Sequence, residues 1–221
     1  MYYGKGDATT TSSGDNTFLF FDDFSGAMDW GKWASNEHTK YVTTGGLLRC
    51  ARPTANTGFI RTANTFSEQV RIRYAKKTSS SSTMLYSYYS DGPDTYAQLN
   101  AALTDFWRPD SATRYTKLGY TKDDDTSYSQ VYSDNVVNTW RKVFKTQYDN
   151  KVYTRITDLA GSTVEEITEK TDAKHGYDRY LKFLQWVSGY AYIDNVRIGK
   201  YVDPEPTHTS WGLAEAFQDL P

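Results

Sequence analysis

A segment near the end of this chain, Tyr190 to Tyr201, reads YAYIDNVRIGKY and has the character of a β-strand. An opening segment of strand character, Phe18 to Phe24 (FLFFDDF), lies far away in sequence. We expect these two segments to pair, so that the last strand of the domain closes the fold beside the first.

Short segments of strand character recur between the two ends, separated by turns rich in Gly, Asp and Ser. In the segment from Phe66 to Lys77, Val70 and Ile72 alternate with Arg71 and Arg73, which predicts a strand with one buried and one solvated face. Strands at such short spacing predict an all-β fold, an antiparallel two-sheet β-sandwich.

Two local signals lie within this pattern. The Asp149-Asn150 pair predicts a hairpin between strands that end at Gln147 and begin at Val152. Leu159 to Lys170 is the best candidate for a single helical turn, although its Thr and Val content argues against one.

The chain divides into three parts by composition. Residues 1–17, rich in Gly, Thr, Ser and Asp, are predicted to be a lead-in loop or linker; residues 18–203 form the β-sandwich domain, and residues 204–221 form a C-terminal linker or tail. No signal peptide is expected at the start of the sequence, where Met1 is followed at once by Tyr-Tyr-Gly, and this start predicts a piece of a larger protein. It has no run of about 18 apolar residues, so no membrane span is expected.

Charge and cysteine content exclude some function classes. The 25 Lys and Arg residues against 27 Asp and Glu give a net charge of −2, which argues against a nucleic-acid partner. The single cysteine, Cys50, lies in a predicted strand and is expected to be a small buried apolar side chain. The three histidines, His38, His175 and His208, lie in loop-like contexts without metal spacing and are expected at the surface.

Three segments carry a resemblance to a known family: FFDDFSG at Phe20 to Gly26 followed by Trp33, TGGLL at Thr44 to Leu48, and YIDNVRI at Tyr192 to Ile198. Together they resemble the concanavalin A-like lectin/glucanase (laminin-G-type) jelly roll of laminarinases and lichenases. A closer likeness is to an uncharacterised domain of large archaeal and bacterial surface proteins, which has similar ends. The resemblance covers the chain in outline.

The resemblance implies a structural calcium ion. In the glucanases its ligands are an Asp side chain on the last strand and backbone carbonyls near the first strand and at a glycine turn. Transferred to this chain, Asp194 supplies the carboxylate, Gly46 a carbonyl, and Asp22 a carbonyl or a carboxylate. Calcium prefers such oxygen ligands. The alternative for Asp194 is a turn cap or a pair with an arginine.

The catalytic carboxylates of the glucanases, arranged E-x-D-x-E or E-x-D-x-x-E on one strand, have no counterpart in this sequence. Alginate lyases of the same fold have a Y-x-K-x-G-x-Y strand, which Tyr115 to Tyr120 (YTKLGY) matches in part. The second tyrosine is off by one position, and Asn100 stands where those lyases have histidine. The chain is therefore not expected to be an enzyme, and a polysaccharide hydrolase or lyase remains an alternative.

What remains is a β-sandwich with 19 tyrosines and six tryptophans. Carbohydrate-binding modules stack sugar rings on such side chains, while polar groups orient the hydroxyls. Trp33 and Trp140 are assigned to the core, and Trp107 falls in an apparent loop that favours exposure. The predicted ligand-binding residues are Tyr86, Tyr88, Tyr96, Trp107 and Trp186, with the core as the alternative for each.

The predicted function is a non-catalytic carbohydrate-binding, lectin-like module of a secreted or cell-surface protein, with a polysaccharide or glycan as its partner. The alternative is a structural or adhesive spacer that binds other surface-protein domains, because both ends of the chain have linker composition. A groove with exposed aromatics favours the first prediction, and a flat surface favours the second.

Overall fold

Antiparallel strands make up most of the structure. The computed structural model describes residues 14–52, 58–66, 69–80, 83–90, 101–108, 115–122, 125–132, 137–148, 151–171, 178–186 and 189–201. Its strands are β1 (Phe20–Asp22), β2 (Trp33–Ser35), β3 (Tyr41–Thr44), β4 (Leu47–Ala51), β5 (Ile60–Thr62), β6 (Val70–Thr78), β7 (Met84–Ser90), β8 (Ala101–Arg108), β9 (Tyr115–Lys122), β10 (Asp125–Tyr132), β11 (Arg141–Tyr148), β12 (Lys151–Thr157), β13 (Thr163–Thr171), β14 (Tyr180–Trp186) and β15 (Tyr190–Lys200). A helical turn, α1 (Gly14–Thr17), precedes β1 within the predicted lead-in, and a 3-10 turn spans His38–Lys40.

The strands form two antiparallel sheets, which confirms the predicted β-sandwich. The eight-stranded sheet has the order β13-β12-β11-β6-β15-β4-β3, with β1 also paired to β15. The seven-stranded sheet has the order β10-β9-β8-β7-β14-β5-β2. Among the described residues, no helix is long and apolar enough to cross a membrane.

The first and last strands pair as expected. Phe20 is opposite Ile198 and Asp22 is opposite Val196 in an antiparallel ladder. The other edge of β15 pairs with β6, so the C-terminal strand lies in the middle of its sheet. The hairpin expected at Asp149-Asn150 is also confirmed, because Tyr148 pairs with Lys151.

The core lies between the two sheets and follows the alternation of the strands. Along β6, Val70, Ile72 and Tyr74 are buried while the residues between them are not. Trp33 is 1 % exposed and packs edge-on against Phe20 at a centroid distance of 5.0 Å, which confirms its assignment to the core. Large apolar side chains in this position supply most of the free energy that favours folding.

A buried polar cluster also links the sheets. The Tyr74 hydroxyl on β6 and the Ser87 hydroxyl on β7 are 2.6 Å apart. The Lys145 ammonium on β11, whose side chain is fully buried, donates to the Ser87 hydroxyl at 2.7 Å and to the Ser87 carbonyl at 3.1 Å. These hydrogen bonds satisfy polar groups that would otherwise be costly to bury.

The suggested helical turn at Leu159 to Lys170 is wrong, because most of this segment is strand β13. Its β-branched residues, which include Val164 and Ile167, favour extended backbone. Its Glu and Lys side chains suit the edge of a sheet, where charge discourages pairing with other chains. β13 is that edge strand, paired only with β12 among the described residues.

Two tryptophans differ from expectation. Trp107 does not lie in a loop: it belongs to β8 and pairs with Leu85 on β7. β8 continues to Arg108, so the turn signal of Arg108-Pro109 does not place Trp107 in a loop. Trp140 is half-buried rather than in the core, since it lies just before β11 with the Lys77 ammonium 4.8 Å from its ring centroid.

Candidate ligand-binding face

The side of the eight-stranded sheet that faces away from the core carries an unusual set of residues. On β6 the outward positions are Arg71, Arg73, Ala75 and Lys77, which alternate with buried ones. We call these residues and their outward register neighbours on β11, β12 and β15 the outer face. Four adjacent strands therefore contribute side chains to one surface about 20 Å long from Arg71 to Lys77.

A pocket of about 230 Å³ opens at one end of the outer face. It is lined by Arg71 on β6, Thr146 and Tyr148 on β11, Tyr153 on β12 and Tyr201 just after β15. The register explains the grouping, because Arg71 is opposite Thr146 and Thr146 is opposite Tyr153. We call this the tyrosine pocket.

The rings of the tyrosine pocket are held by contacts with one another and with cations. Tyr148 and Tyr201 lie with their ring centroids 4.8 Å apart and tilted by 44°. The Arg71 guanidinium lies 5.0 Å from the Tyr201 ring centroid, and the Lys151 ammonium lies 5.6 Å from that of Tyr148. Such cation–π contacts fix the positions of flat aromatic surfaces.

Aromatic side chains also gather at the opposite end of the outer face. Lys77 lies 4.8 Å from the ring centroid of Trp140 and 5.3 Å from that of Tyr192. Next to them, the Arg49 guanidinium lies 4.8 Å from the ring centroid of Tyr190, a tyrosine that is 41 % exposed. Both ends of the face thus combine aromatic rings with cations.

The residues predicted from sequence to bind a ligand belong to the other sheet. Tyr86 and Tyr88 lie on β7, Trp186 on β14 and Trp107 on β8, whereas Tyr96 lies outside the described residues. Three of them come together: Tyr86 is opposite Leu184 and Tyr88 opposite Lys182 on β14, the strand that also carries Trp186.

The β14 residues opposite Tyr86 and Tyr88 are buried. Leu184 is 2 % exposed and Lys182 is 3 % exposed, and the Lys182 ammonium lies 5.5 Å from the ring centroid of the buried Phe59. Tyr86 is half-buried, and for Tyr88, Trp107 and Trp186 the structure describes the backbone alone. Ligand binding by these residues stays a prediction.

A second cleft lies at the edge of the eight-stranded sheet, beside β3. It has a volume of about 340 Å³ and is lined by Ala27, Met28, Trp30, His38, Thr39, Tyr41, Val42 and Thr43. Trp30, which is 36 % exposed, stacks on His38 with a centroid distance of 3.9 Å and an interplanar angle of 10°. The exposure expected for His38 is confirmed, and this stacked pair was not anticipated from sequence.

The register brings the three predicted calcium ligands to one junction. β4 pairs with β15 as far as Leu48 opposite Ile193, and β1 pairs with the same edge of β15 from Asp22 opposite Val196. Asp194, which is half-buried, lies between these two ladders, and Gly46 lies in the turn that precedes β4. The described residues contain no group of three or more His, Cys, Asp or Glu suited to a metal.

The hydrogen bonds of Asp22 indicate which of its oxygens is available to a calcium ion. Its Oδ2 accepts a hydrogen bond from the Trp33 indole N–H at 2.7 Å, and its Oδ1 accepts one from the Phe24 backbone N–H at 2.8 Å. Both carboxylate oxygens therefore have structural partners. If a calcium ion binds at this junction, Asp194 would be its carboxylate ligand and Asp22 would contribute a carbonyl.

Cys50 takes no part in any such site. Its side chain is fully buried, and burial raises the pKa of its thiol well above the usual range. A thiolate is therefore strongly disfavoured at neutral pH. The expectation that Cys50 is a small buried apolar residue is confirmed.

Comparisons with known proteins identify the fold. Residues 1–36 match a family model described as Domain of unknown function (DUF2341), and no curated protein matches the chain. A β-glucanase of Bacillus licheniformis superposes with a TM-score of 0.63 at 11 % identity, covering 82 % of this chain and 97 % of that one. LamAcat of Zobellia galactanivorans gives 0.61 at 13 % identity, covering 84 % and 98 %.

A pseudo β-1,3-glucanase of Mycobacterium tuberculosis, also described as an immunostimulatory antigen, gives a TM-score of 0.61 at 12 % identity and covers 84 % of this chain and 99 % of that one. At such identities the likeness concerns the fold alone. The chain has the concanavalin A-like jelly roll that these proteins share, as its sequence resemblance implied.

Proposed function

We propose that this domain is a non-catalytic carbohydrate-binding module and that its ligand lies on the outer face. The observation that carries the proposal is the tyrosine pocket, where Tyr148, Tyr153 and Tyr201 surround a space beside Arg71. Tyrosine rings provide flat surfaces for the CH-rich faces of sugars, and the guanidinium donates several hydrogen bonds to sugar oxygens. The pocket is smaller than the roughly 300–1,000 Å³ of pockets that enclose drug-sized ligands, so it suits one unit of a longer chain.

Two further considerations support a glycan ligand without catalysis. Several proteins with this fold are named as glucanases, and one is named as a pseudo β-1,3-glucanase. The sequence has no E-x-D-x-E or E-x-D-x-x-E motif, which the retaining mechanism of glucanases requires on one strand. Both considerations are consistent with a module that has the fold of the glucanases but a different binding surface.

The proposal includes a location. Linker-like composition at both ends and the resemblance to domains of archaeal and bacterial surface proteins fit a module of a secreted or cell-surface protein. In that setting a carbohydrate-binding module would attach the protein to a polysaccharide. A spacer that contacts other surface-protein domains is the alternative outcome of the test below.

The test is a binding screen of the purified domain against immobilised polysaccharides, namely a β-glucan, xylan, polygalacturonate and dextran sulfate. We expect binding to at least one of them. Replacing Tyr148 or Tyr153 by alanine is expected to weaken that binding about tenfold, because each change removes a stacking surface. Isothermal titration with soluble oligosaccharides of the same type measures the change.

Trp30→Ala is the matched control, since it removes an exposed aromatic ring from the other cleft. It should leave the affinity within about twofold of wild type. Loss of binding in Trp30→Ala but not in Tyr148→Ala would move the site to that cleft. No binding to any polysaccharide would favour the spacer, and release of sugar products would favour a hydrolase or lyase.

The proposal also includes a structural calcium ion held by the Asp194 carboxylate with carbonyls of Gly46 and Asp22. A cation at this junction would join the ends of β1 and β4 to β15, where the first and last strands pair. The N-terminal strand would then be less free to open locally.

A thermal melt with and without a calcium chelator tests whether the domain binds calcium at this junction. Calcium at about a hundred times its Kd should add about 2.7 kcal/mol to the free energy of unfolding and raise Tm by roughly 5–10 °C. The rise should disappear in Asp194→Asn. An identical Tm for wild type in calcium and in chelator would contradict the site.

A further inference from the structure

We infer that the ligand of the outer face is an acidic polysaccharide that runs along the strands and passes over a row of arginines in the middle of the sheet. This inference rests on the proposed carbohydrate-binding function and specifies the class of glycan. It concerns the middle of the outer face, between the tyrosine pocket and the group formed by Trp140 and Tyr192.

The row follows directly from strand register. Arg197 on β15 is opposite Arg73 on β6, Arg73 is opposite Phe144 on β11, and Phe144 is opposite Arg155 on β12. Phe144 lies between two guanidinium groups, 5.6 Å from that of Arg73 and 5.1 Å from that of Arg155. The row ends at β13, where Glu166 is the register partner of Arg155.

Such a row brings like charges close together. Like charges directly opposite each other in a sheet are destabilising, and Arg197 and Arg73 are direct neighbours. Cation–π contacts hold Arg73 and Arg155 beside Phe144, and Arg197 beside Phe18 and Phe21. The Arg73 side chain is exposed.

The charge of the outer face differs in sign from that of the whole chain. Its described side chains on the four strands include seven cations and one acid, Asp194. The cations are Arg71, Arg73, Lys77, Lys142, Lys151, Arg155 and Arg197. The chain as a whole has a net charge of −2. A cationic face on an acidic protein matches a polyanion by charge complementarity.

The aromatic groups at both ends favour a polysaccharide over other polyanions. Rings that flank a row of guanidinium groups can stack sugar units while the arginines bind acid groups between them. A length of about 20 Å accommodates several units of an extended chain.

The test compares the binding of polygalacturonate, dextran sulfate and neutral dextran to wild type and to Arg73→Gln. Polygalacturonate presents carboxylates and dextran sulfate presents sulfate esters, so the two acidic polymers distinguish the acid group. We expect at least one of them to bind at least tenfold more tightly than neutral dextran, with an affinity that falls as salt is raised. Arg73→Gln should weaken this binding about tenfold.

Lys40→Gln is the control, because it removes one positive charge from the 3-10 turn, away from the outer face. It should change the affinity by less than about twofold. A single-stranded oligonucleotide of equal charge serves as the second control ligand, and both variants are checked for an unchanged melting temperature.

The outcomes separate this inference from the proposed function. If a neutral glycan binds and Arg73→Gln changes nothing, the inference fails and the carbohydrate-binding function stands. If no polysaccharide binds at all, both fail. Tighter binding of the oligonucleotide than of either acidic polysaccharide would overturn the inference in favour of a nucleic-acid surface.

Discussion

Replacing Ser87 with alanine is expected to lower the free energy of unfolding by about 2–4 kcal/mol. The Ser87 hydroxyl is hydrogen-bonded to the Tyr74 hydroxyl at 2.6 Å and accepts from the Lys145 ammonium at 2.7 Å, in a fully buried position between the sheets. The change therefore takes one hydrogen bond from each of two buried polar groups, one of them charged. Denaturant-induced unfolding followed by tryptophan fluorescence measures the loss.

Ser162→Ala is the control for loss of a hydroxyl, since Ser162 is exposed, and it should alter stability by less than about 0.5 kcal/mol. Tyr74→Phe provides a second check. Because Tyr74 and Ser87 share a hydrogen bond, the two changes together should cost less than the sum of their separate effects. A loss below about 1 kcal/mol for Ser87→Ala, or strict additivity, would contradict a coupled buried cluster.

Replacing Asp22 with alanine is expected to lower the free energy of unfolding by about 2–3 kcal/mol. Its carboxylate accepts hydrogen bonds from the indole N–H of Trp33, which is 1 % exposed, and from the backbone of Phe24. Phe24 has a φ of 55°, an uncommon conformation for a bulky residue, which this short-range hydrogen bond helps to hold. The variant would leave a buried indole N–H without its acceptor.

Asp23→Ala is the matched control from the same turn. Asp23 accepts a comparable hydrogen bond from the Ser25 backbone N–H at 3.1 Å, but at an exposed position. Its loss should therefore cost only about 0.5 kcal/mol. Asp22→Ala should also retain the stabilisation by calcium, whereas Asp194→Asn should not. Equal losses for Asp22→Ala and Asp23→Ala would contradict the structural role of the Asp22 carboxylate.

The fold could be predicted from sequence because its main signals are local or lie at the chain's ends. The alternation along β6 follows from strand geometry, and the Asp149-Asn150 pair predicts the hairpin between β11 and β12. The pairing of β1 with β15 was anticipated from the similar character of two distant segments. The strand β2 (Trp33–Ser35) was missed, because three residues are too few to display a period.

The candidate site could be predicted only in part, because it depends on register between strands distant in sequence. Alternation alone places Arg71 and Arg73 on one face of β6, and the hairpin places Tyr148 near Tyr153. Nothing in the sequence shows that Arg197 is opposite Arg73, or that Tyr201 joins the tyrosine pocket. Sequence reasoning therefore selected the densest run of aromatics, on β7, and overlooked a surface assembled from four strands.

Trp107 and Trp140 illustrate how context overrides residue type. A turn signal at Arg108-Pro109 suggested a loop for Trp107, yet pairing of β8 with both neighbouring strands continues to Trp107. A tryptophan is usually assigned to a core, yet Trp140 lies at the start of a strand beside Lys77. Burial follows the position of a residue in its sheet more closely than its hydrophobicity.

Amide chemical-shift mapping by NMR, with the polysaccharide fragment that binds most tightly in the screen, locates the ligand on the domain. We expect the shift changes to concentrate on the strands of the outer face, at residues 71–77, 144–148, 151–155 and 190–201. Residues 84–90 and 180–186 of the other sheet should change little. Shift changes concentrated on those two segments would rule out the outer face as the binding site and would restore the site first predicted at Tyr86, Tyr88 and Trp186.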